Sequence, residues 1–285
     1  MIEFKQVEVS DKAWVTDLLE KSDFYGCEYA FGNTYMWSPV YDIKIARYKD
    51  FYLVKNSYGY LFPLGNGDLH EVIGELNRCG DLVFTNVACE SLDSLKCYNT
   101  QISTNRDFYD YVYEYDTLAN LCGKKLHSKR NHLNRFYENN WSFEEITAEN
   151  IEEVTAMHNR WCDEKMIYCD SDKLKEAGAV IRGLERFFEL GFIGGVIRVD
   201  GEIEAYTFGE PAYNRCNDMF VVHVEKAFTN YQGTYAAINR EFVARLCGEF
   251  RYINREEDMG MANLRKAKMS YCPAFLVEKY KVRFM

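Results

Sequence analysis

Proline is scarce, with four in 285 residues, and no Ser/Gly-rich or repetitive tract interrupts the chain. A long disordered linker is therefore not expected. Long hydrophobic runs are also missing. The longest apolar passage, GFIGGVIRV at 191–199, is strand-sized, well short of the ~18 residues a helix needs to span a bilayer. The opening MIEFKQVEVSDKAW lacks the basic start and continuous apolar segment of a secretory signal. A soluble, cytoplasmic protein without a transmembrane segment is expected. The ten cysteines include no Cys-x-x-Cys pair. His158 and Cys162 lie four apart on a predicted helix, but no second pair completes a zinc-type site. No metal is expected, and reduced, mostly buried thiols fit a reducing compartment. An excess of positive charge is lacking as well: the formal net charge is −10, which disfavours duplex DNA as a partner.

What is present is a core. Apolar residues make up 47% and charged residues 27% of the chain, a globular mix sized for one large domain or two ordinary ones. The first half reads as a strand (IEFKQVEV), a helix (DKAWVTDLLEKS), two or three antiparallel strands over 43–64, a helix (GDLHEVIGELNRCG), a strand (DLVFTNVA) and a helix (ESLDSLKCYN). The second half, from 141, reads as a strand, two amphipathic helices, a hairpin turning at Asp200-Gly201, a strand (NDMFVVHVEKAF), a helix, a strand (FRYINREED), a helix (ANLRKAKMSY) and a last strand (AFLVEKYKV). That order is the element order of the GNAT acyltransferase fold, and the first half looks like a shorter version of it. The expected class is α/β (α+β), two GNAT-like units in tandem with mixed, mostly antiparallel sheets. The expected division is 1–117, a basic connecting helix at 118–140, and 141–285.

Residues 123–136, GKKLHSKRNHLNRF, hold five Lys or Arg and no acid. Together with NREEDMGMANLRKAKMSYCPAFLVEKY at 254–280, this segment resembles the phosphatidylglycerol lysyltransferase C-terminal-domain family, tandem-GNAT proteins related to the Fem peptidyltransferases. The resemblance implies an acyl or aminoacyl transferase. Aminoacyl-tRNA or acyl-CoA would be its donor, no cofactor is otherwise implied, and a lipid head group is one candidate acceptor.

The residues themselves suggest where such chemistry sits. A GNAT pyrophosphate loop reads Arg/Gln-x-x-Gly-x-Gly/Ala before a helix N-terminus, whereas here YQGTYA offers only a contracted version around Gln232 and Gly233. On the preceding strand, His223 and Glu225 stand two apart, so strand periodicity puts them on one face as candidate bases. Tyr235 or Tyr271 could donate a proton to a leaving group. Asn254, Glu256 and Asp258 alternate with Arg255 and Glu257, forming a carboxylate-rich strand end. It could receive a cationic aminoacyl group, or Asp258 could simply cap the next helix. Lys268 falls in an apolar stripe with Met261, Leu264 and Tyr271; it either meets Glu256 or Glu257 or joins Arg265 at a donor phosphate. In the basic helix, Lys129 and Arg130 flank an apolar stripe while Asn131 looks outward. These cations either neutralise acidic neighbours or hold phosphate, such as a tRNA acceptor end. Two readings from other classes stand beside the aminoacyl transferase. One is a catalytically silent tandem-GNAT module binding an anionic ligand or a protein partner; the other is a CoA-dependent N-acetyltransferase.

Overall fold

The computed structural model describes residues 2–78, 80–165, 167 and 170–285. Two mixed sheets carry the architecture. The first runs, in spatial order, through strands 5–6, 44–48, 51–56, 59–61, 83–88, 279–284 and 100–104, with 64–65 also paired to 51–56. The second runs through 275–277, 110–114, 252–254, 219–227, 202–211, 193–199 and 141–145. Each sheet contains one parallel pair among antiparallel neighbours: 59–61 with 83–88, and 219–227 with 252–254. This repeated plan is the tandem GNAT-like arrangement that the element order indicates.

The sheets exchange strands. Strand Asp110–Glu114, from the first half, pairs with Tyr252–Asn254 and Phe275–Val277 in the second sheet. Strand Lys279–Phe284, at the end of the chain, lies between Val83–Ala88 and Thr100–Thr104 in the first. The division at 117 and 141 therefore does not follow sheet membership. The single last strand read from AFLVEKYKV is two strands, one in each sheet, separated at Glu278. ESLDSLKCYN is a 3-10 segment at Cys89–Leu95 rather than an α-helix. A helix at Phe31–Tyr41 escapes periodicity because its residues are apolar nearly all round and Pro39 lies inside it.

That helix packs against Ser171–Glu185, and its Phe31, Tyr35 and Met36 share one apolar core with Val180, Leu184, Phe192 and Phe208. The halves thus meet through a continuous interior. A second core fills the opposite face of the second sheet, where helix Thr234–Leu246 lies under Tyr115–Asn120 and the basic helix His127–Phe136. Leu133 and Phe136 seat the basic helix, as its apolar stripe predicts. Among the described residues no helix is long and apolar enough to cross a membrane.

Candidate functional site

Strands Met219–Ala227 and Tyr252–Asn254 pair in parallel only from Met219 to Val221 on the first strand; beyond that their ends separate. A bulge marks the point of separation. Across from it, Phe208 pairs with Val224 but Gly209 pairs with Val222, leaving His223 as the extra residue. Position 209 must be glycine, because a Cβ there would lie 1.8 Å from the Val221 carbonyl oxygen. The bulge reverses the alternation of side chains. Val222 joins the core under helix Thr234–Leu246, whereas Val224 joins the core between the halves. His223 and Glu225 consequently face opposite sides of the sheet, which corrects the strict period-two reading.

On the side facing the first half, His223 is bracketed by two carboxylates. Its Nδ1 lies 2.9 Å from Glu256 Oε1 and its Nε2 3.0 Å from Glu210 Oε1. Burial lowers the pKa of His223, but the two acids more than offset this and push it up to about 9. At neutral pH the ring is a cation with both N–H groups engaged. It holds its acids in place and is not free to take a proton. Glu210 also accepts from the Gly32 amide at 2.6 Å in the first turn of Phe31–Tyr41, and Glu256 accepts from Asn33 at 3.1 Å. Of the three, Glu256 has appreciable side-chain exposure, 21%. Its backbone is left-handed, φ 57°, held by its amide donating to Asn254 Oδ1 at 2.7 Å. Such a conformation in a non-glycine residue marks a position fixed by its surroundings.

The strand exchange builds an adjoining cluster. The ammonium of Lys279, 3% exposed, contacts Glu28, lies 2.5 Å from Asp110 and 4.0 Å from Glu257, and sits 3.7 Å from Cys27 Sγ. Burial pushes Glu28 up to about 8 and raises Glu257, while the surrounding acids keep Lys279 firmly protonated. The ligand atoms of Cys27, Glu28, Asp110 and Glu257 lie within 4.8 Å of one another, a spacing a metal ion could use. The Lys279 ammonium already supplies positive charge there. Asn254 ties this cluster to the turn, donating to Asp110 at 3.0 Å and to the Tyr25 carbonyl at 2.8 Å.

On the opposite side, Glu225 accepts from Arg255 at 2.8 Å and from Asn239 at 3.2 Å. The Lys129 ammonium stands 3.9 Å above the Tyr271 ring, which Arg255 also approaches at 5.0 Å. Burial, then the nearby Arg255, lowers the Lys129 pKa; burial raises Tyr271 to about 12. Arg255 Nη1 is buried and has no hydrogen-bond partner among the described residues. Tyr235, second residue of the helix, is 38% exposed.

Other candidates are bonded within the fold. Arg265 grips Asp258 through Nε at 2.8 Å and Nη2 at 2.7 Å, and also reaches Asp107. Tyr111 adds a further bond to Asp258. Lys268 donates to the carbonyls of Arg255 and Glu257 and, among the described residues, pairs with no carboxylate. Arg130 donates to the carbonyls of Leu121 and Gly123 at 2.5 and 2.8 Å, and Asn131 contacts His127. Lys129 and Arg130 therefore serve different places. Gln232 accepts from Arg135 at 2.8 Å.

Gly233 has φ 98° and lies so close to the basic helix that a Cβ would fall 2.3 Å from the His132 carbonyl oxygen. Gly233→Ala is expected to cost about 1–3 kcal/mol, since both backbone strain and a backbone clash oppose it; urea denaturation would measure this. Sequence reasoning missed Glu28, Asp110, Glu210 and Lys279, which come together only through the strand exchange and the bulge.

A pair of strands that diverge at a bulge, with charged side chains on both faces of the gap, in a sheet that has a counterpart in the other half, defines a tandem GNAT-like acyltransferase fold. The chain belongs to the family described as phosphatidylglycerol lysyltransferase, C-terminal, whose profile matches residues 19–283. A conserved protein of unknown function from Bacteroides thetaiotaomicron is 36% identical, with full coverage of both chains and a TM-score of 0.93. L-PGS from Bacillus licheniformis shares the fold at 14% identity, TM-score 0.65, covering 96% of this chain and 91% of that one. An uncharacterised protein of Mycoplasmoides gallisepticum is 23% identical over 180 residues, 61% of this chain; the match spans 56% of that relative's length. Family and fold are those of a GNAT-like transferase related to lysyl-phosphatidylglycerol synthase.

Proposed function

We propose that this protein transfers an aminoacyl group from an aminoacyl-tRNA ester to an amine or hydroxyl acceptor at the gap between Met219–Ala227 and Tyr252–Asn254. The observation that carries the donor choice is Gly233. Where a GNAT enzyme would offer amide donors to a CoA pyrophosphate, the loop packs against a carbonyl, the His132 oxygen. With the basic helix packed that close to the loop, little room is left for a pyrophosphate, so CoA is the disfavoured donor. The family's lysyltransferase description supports an aminoacyl group instead.

Direct transfer needs orientation, a charge to stabilise the tetrahedral oxyanion, and a group to take the acceptor's proton. Lys129, half-buried beside Arg255, would supply the positive charge on the helix side of the sheet. Glu256, the partly exposed acid of the trio, would take the proton from the other side, positioned by His223 and Asn254. As the ester breaks, the terminal ribose hydroxyl leaves with a proton, and Tyr271 stands beside Lys129 to give it. Glu225, bound to Arg255 and Asn239, orients Arg255.

Incubation with charged tRNA and, separately, with acetyl-CoA tests this. Enzyme-dependent loss of the aminoacyl ester with acceptor present is expected, with no consumption of acetyl-CoA. Lys129→Met should slow ester loss ~10²-fold, comparable to removing one oxyanion donor, without changing the unfolding midpoint appreciably. Turnover of acetyl-CoA alone would contradict the proposal. A silent binding module is the second reading, favoured by the Lys279 ammonium occupying the acidic cluster; it predicts binding of charged tRNA or another anion with no ester loss in either arm.

A further inference from the structure

The outer side of the basic helix, away from Lys129, borders a groove of about 440 Å³ closed by helix Thr234–Leu246 and by Trp141. Three arginines, Arg130, Arg240 and Arg245, line it against one carboxylate, Glu241. That acid is 1% exposed and already accepts from Tyr137, Arg240 and Arg245. The arginines are held by internal bonds: Arg130 to the Leu121 and Gly123 carbonyls, Arg240 to Ala119 and Glu241, Arg245 to Glu241. So held, Arg240 and Arg245 still keep 36% and 52% of their side chains exposed. The groove is thus a positively charged concavity with preset guanidinium positions on a chain of net charge −10. Oriented guanidinium groups are the means by which proteins grip phosphate.

Its other wall is aromatic. Tyr137 and Trp141 stack at 5.0 Å between centroids with planes 20° apart, and both line the groove. Asn134, exposed on the same wall, offers an amide able to donate and accept. A simple anion such as sulfate would use the arginines but not the rings. An apolar ligand would leave the arginines without purpose. A flat heterocycle carrying a phosphate uses both, because bases stack on aromatic faces while phosphate pairs with arginine. The volume also lies within the range usual for small-molecule sites.

We infer that this groove binds a nucleoside monophosphate, its base against the Tyr137–Trp141 wall and its phosphate on Arg130, Arg240 and Arg245. The site is separate from the transfer reaction proposed above, and its test does not depend on that reaction. Titrate the full chain with AMP, adenosine and inorganic phosphate by calorimetry, and follow Trp141 fluorescence in parallel. AMP should bind saturably, adenosine and phosphate at least tenfold more weakly, and salt should weaken AMP. Arg245→Ala should weaken AMP at least tenfold. Because Arg245 also serves buried Glu241, Asn134→Glu provides a second variant that removes no internal ion pair and places a negative charge in the groove; it too should weaken AMP tenfold. Trp141→Phe should abolish the fluorescence change. Absence of saturable AMP binding overturns the inference, as does AMP affinity unchanged in Asn134→Glu. Binding of a CCA trinucleotide without AMP binding would equally overturn it, assigning the groove to an RNA end.

Discussion

Lys279→Met is expected to destabilise the protein by about 3–5 kcal/mol at neutral pH, the effect of removing one partner from a buried ionic cluster. The methionine side chain is close to lysine in length, so packing changes little and the charge is what is lost. Glu28, Asp110 and Glu257 would then share a dry pocket without a cation. Like charges in low dielectric favour protonation, so Glu28 and Glu257, already raised, should rise still further in the folded variant. Stability lost at neutral pH should partly return as pH falls and these groups take protons. Urea midpoints of wild type and variant between pH 5.5 and 8.5 would measure this. A variant as stable as wild type at pH 7.5 would mean that the terminal strand does not lock the two sheets through this ammonium.

Wild-type stability is expected to fall as pH rises from about 6.5 to 9, with His223 as the main cause. Its folded pKa, about 9, exceeds the unfolded value of about 6.5. Its contribution is fully present below the unfolded value and is lost as pH rises through the folded one. At ~1.4 kcal/mol per unit, the full span is roughly 3 kcal/mol. Glu28, raised by burial to about 8, acts in the same direction, because the folded state keeps a proton that the unfolded state has released. His223→Gln keeps hydrogen-bonding capacity but removes the titration, so it should be less stable at pH 6.5 and show a flatter pH profile. If wild type and His223→Gln have parallel profiles, His223 does not titrate as a cation between Glu210 and Glu256.

The legible part of the sequence was the part governed by local periodicity. The basic helix, the helices over 151–164 and 234–246, and the Asp200-Gly201 hairpin follow from spacing and turn chemistry. Strand exchange was not legible, because β pairing joins residues far apart and alternation does not name the partner. Asp110 and Lys279 look like ordinary strand-surface charges until their strands cross into opposite sheets. The bulge at His223 left one signal, Gly209 within a strand, that could have shown the alternation to be unsafe. Lys268 shows the limit of face arguments: its burial was foreseen, but backbone carbonyls satisfy it. Lys129 and Arg130 are neighbours in sequence, yet the ~100° turn per residue sends one to the strand gap and the other toward the groove.

The most direct test of the central claim compares donor affinities. Calorimetric titration with charged tRNA and with CoA should give saturable, salt-sensitive binding of charged tRNA, and no binding of CoA up to millimolar concentration. Saturable CoA binding with indifference to charged tRNA would contradict the account.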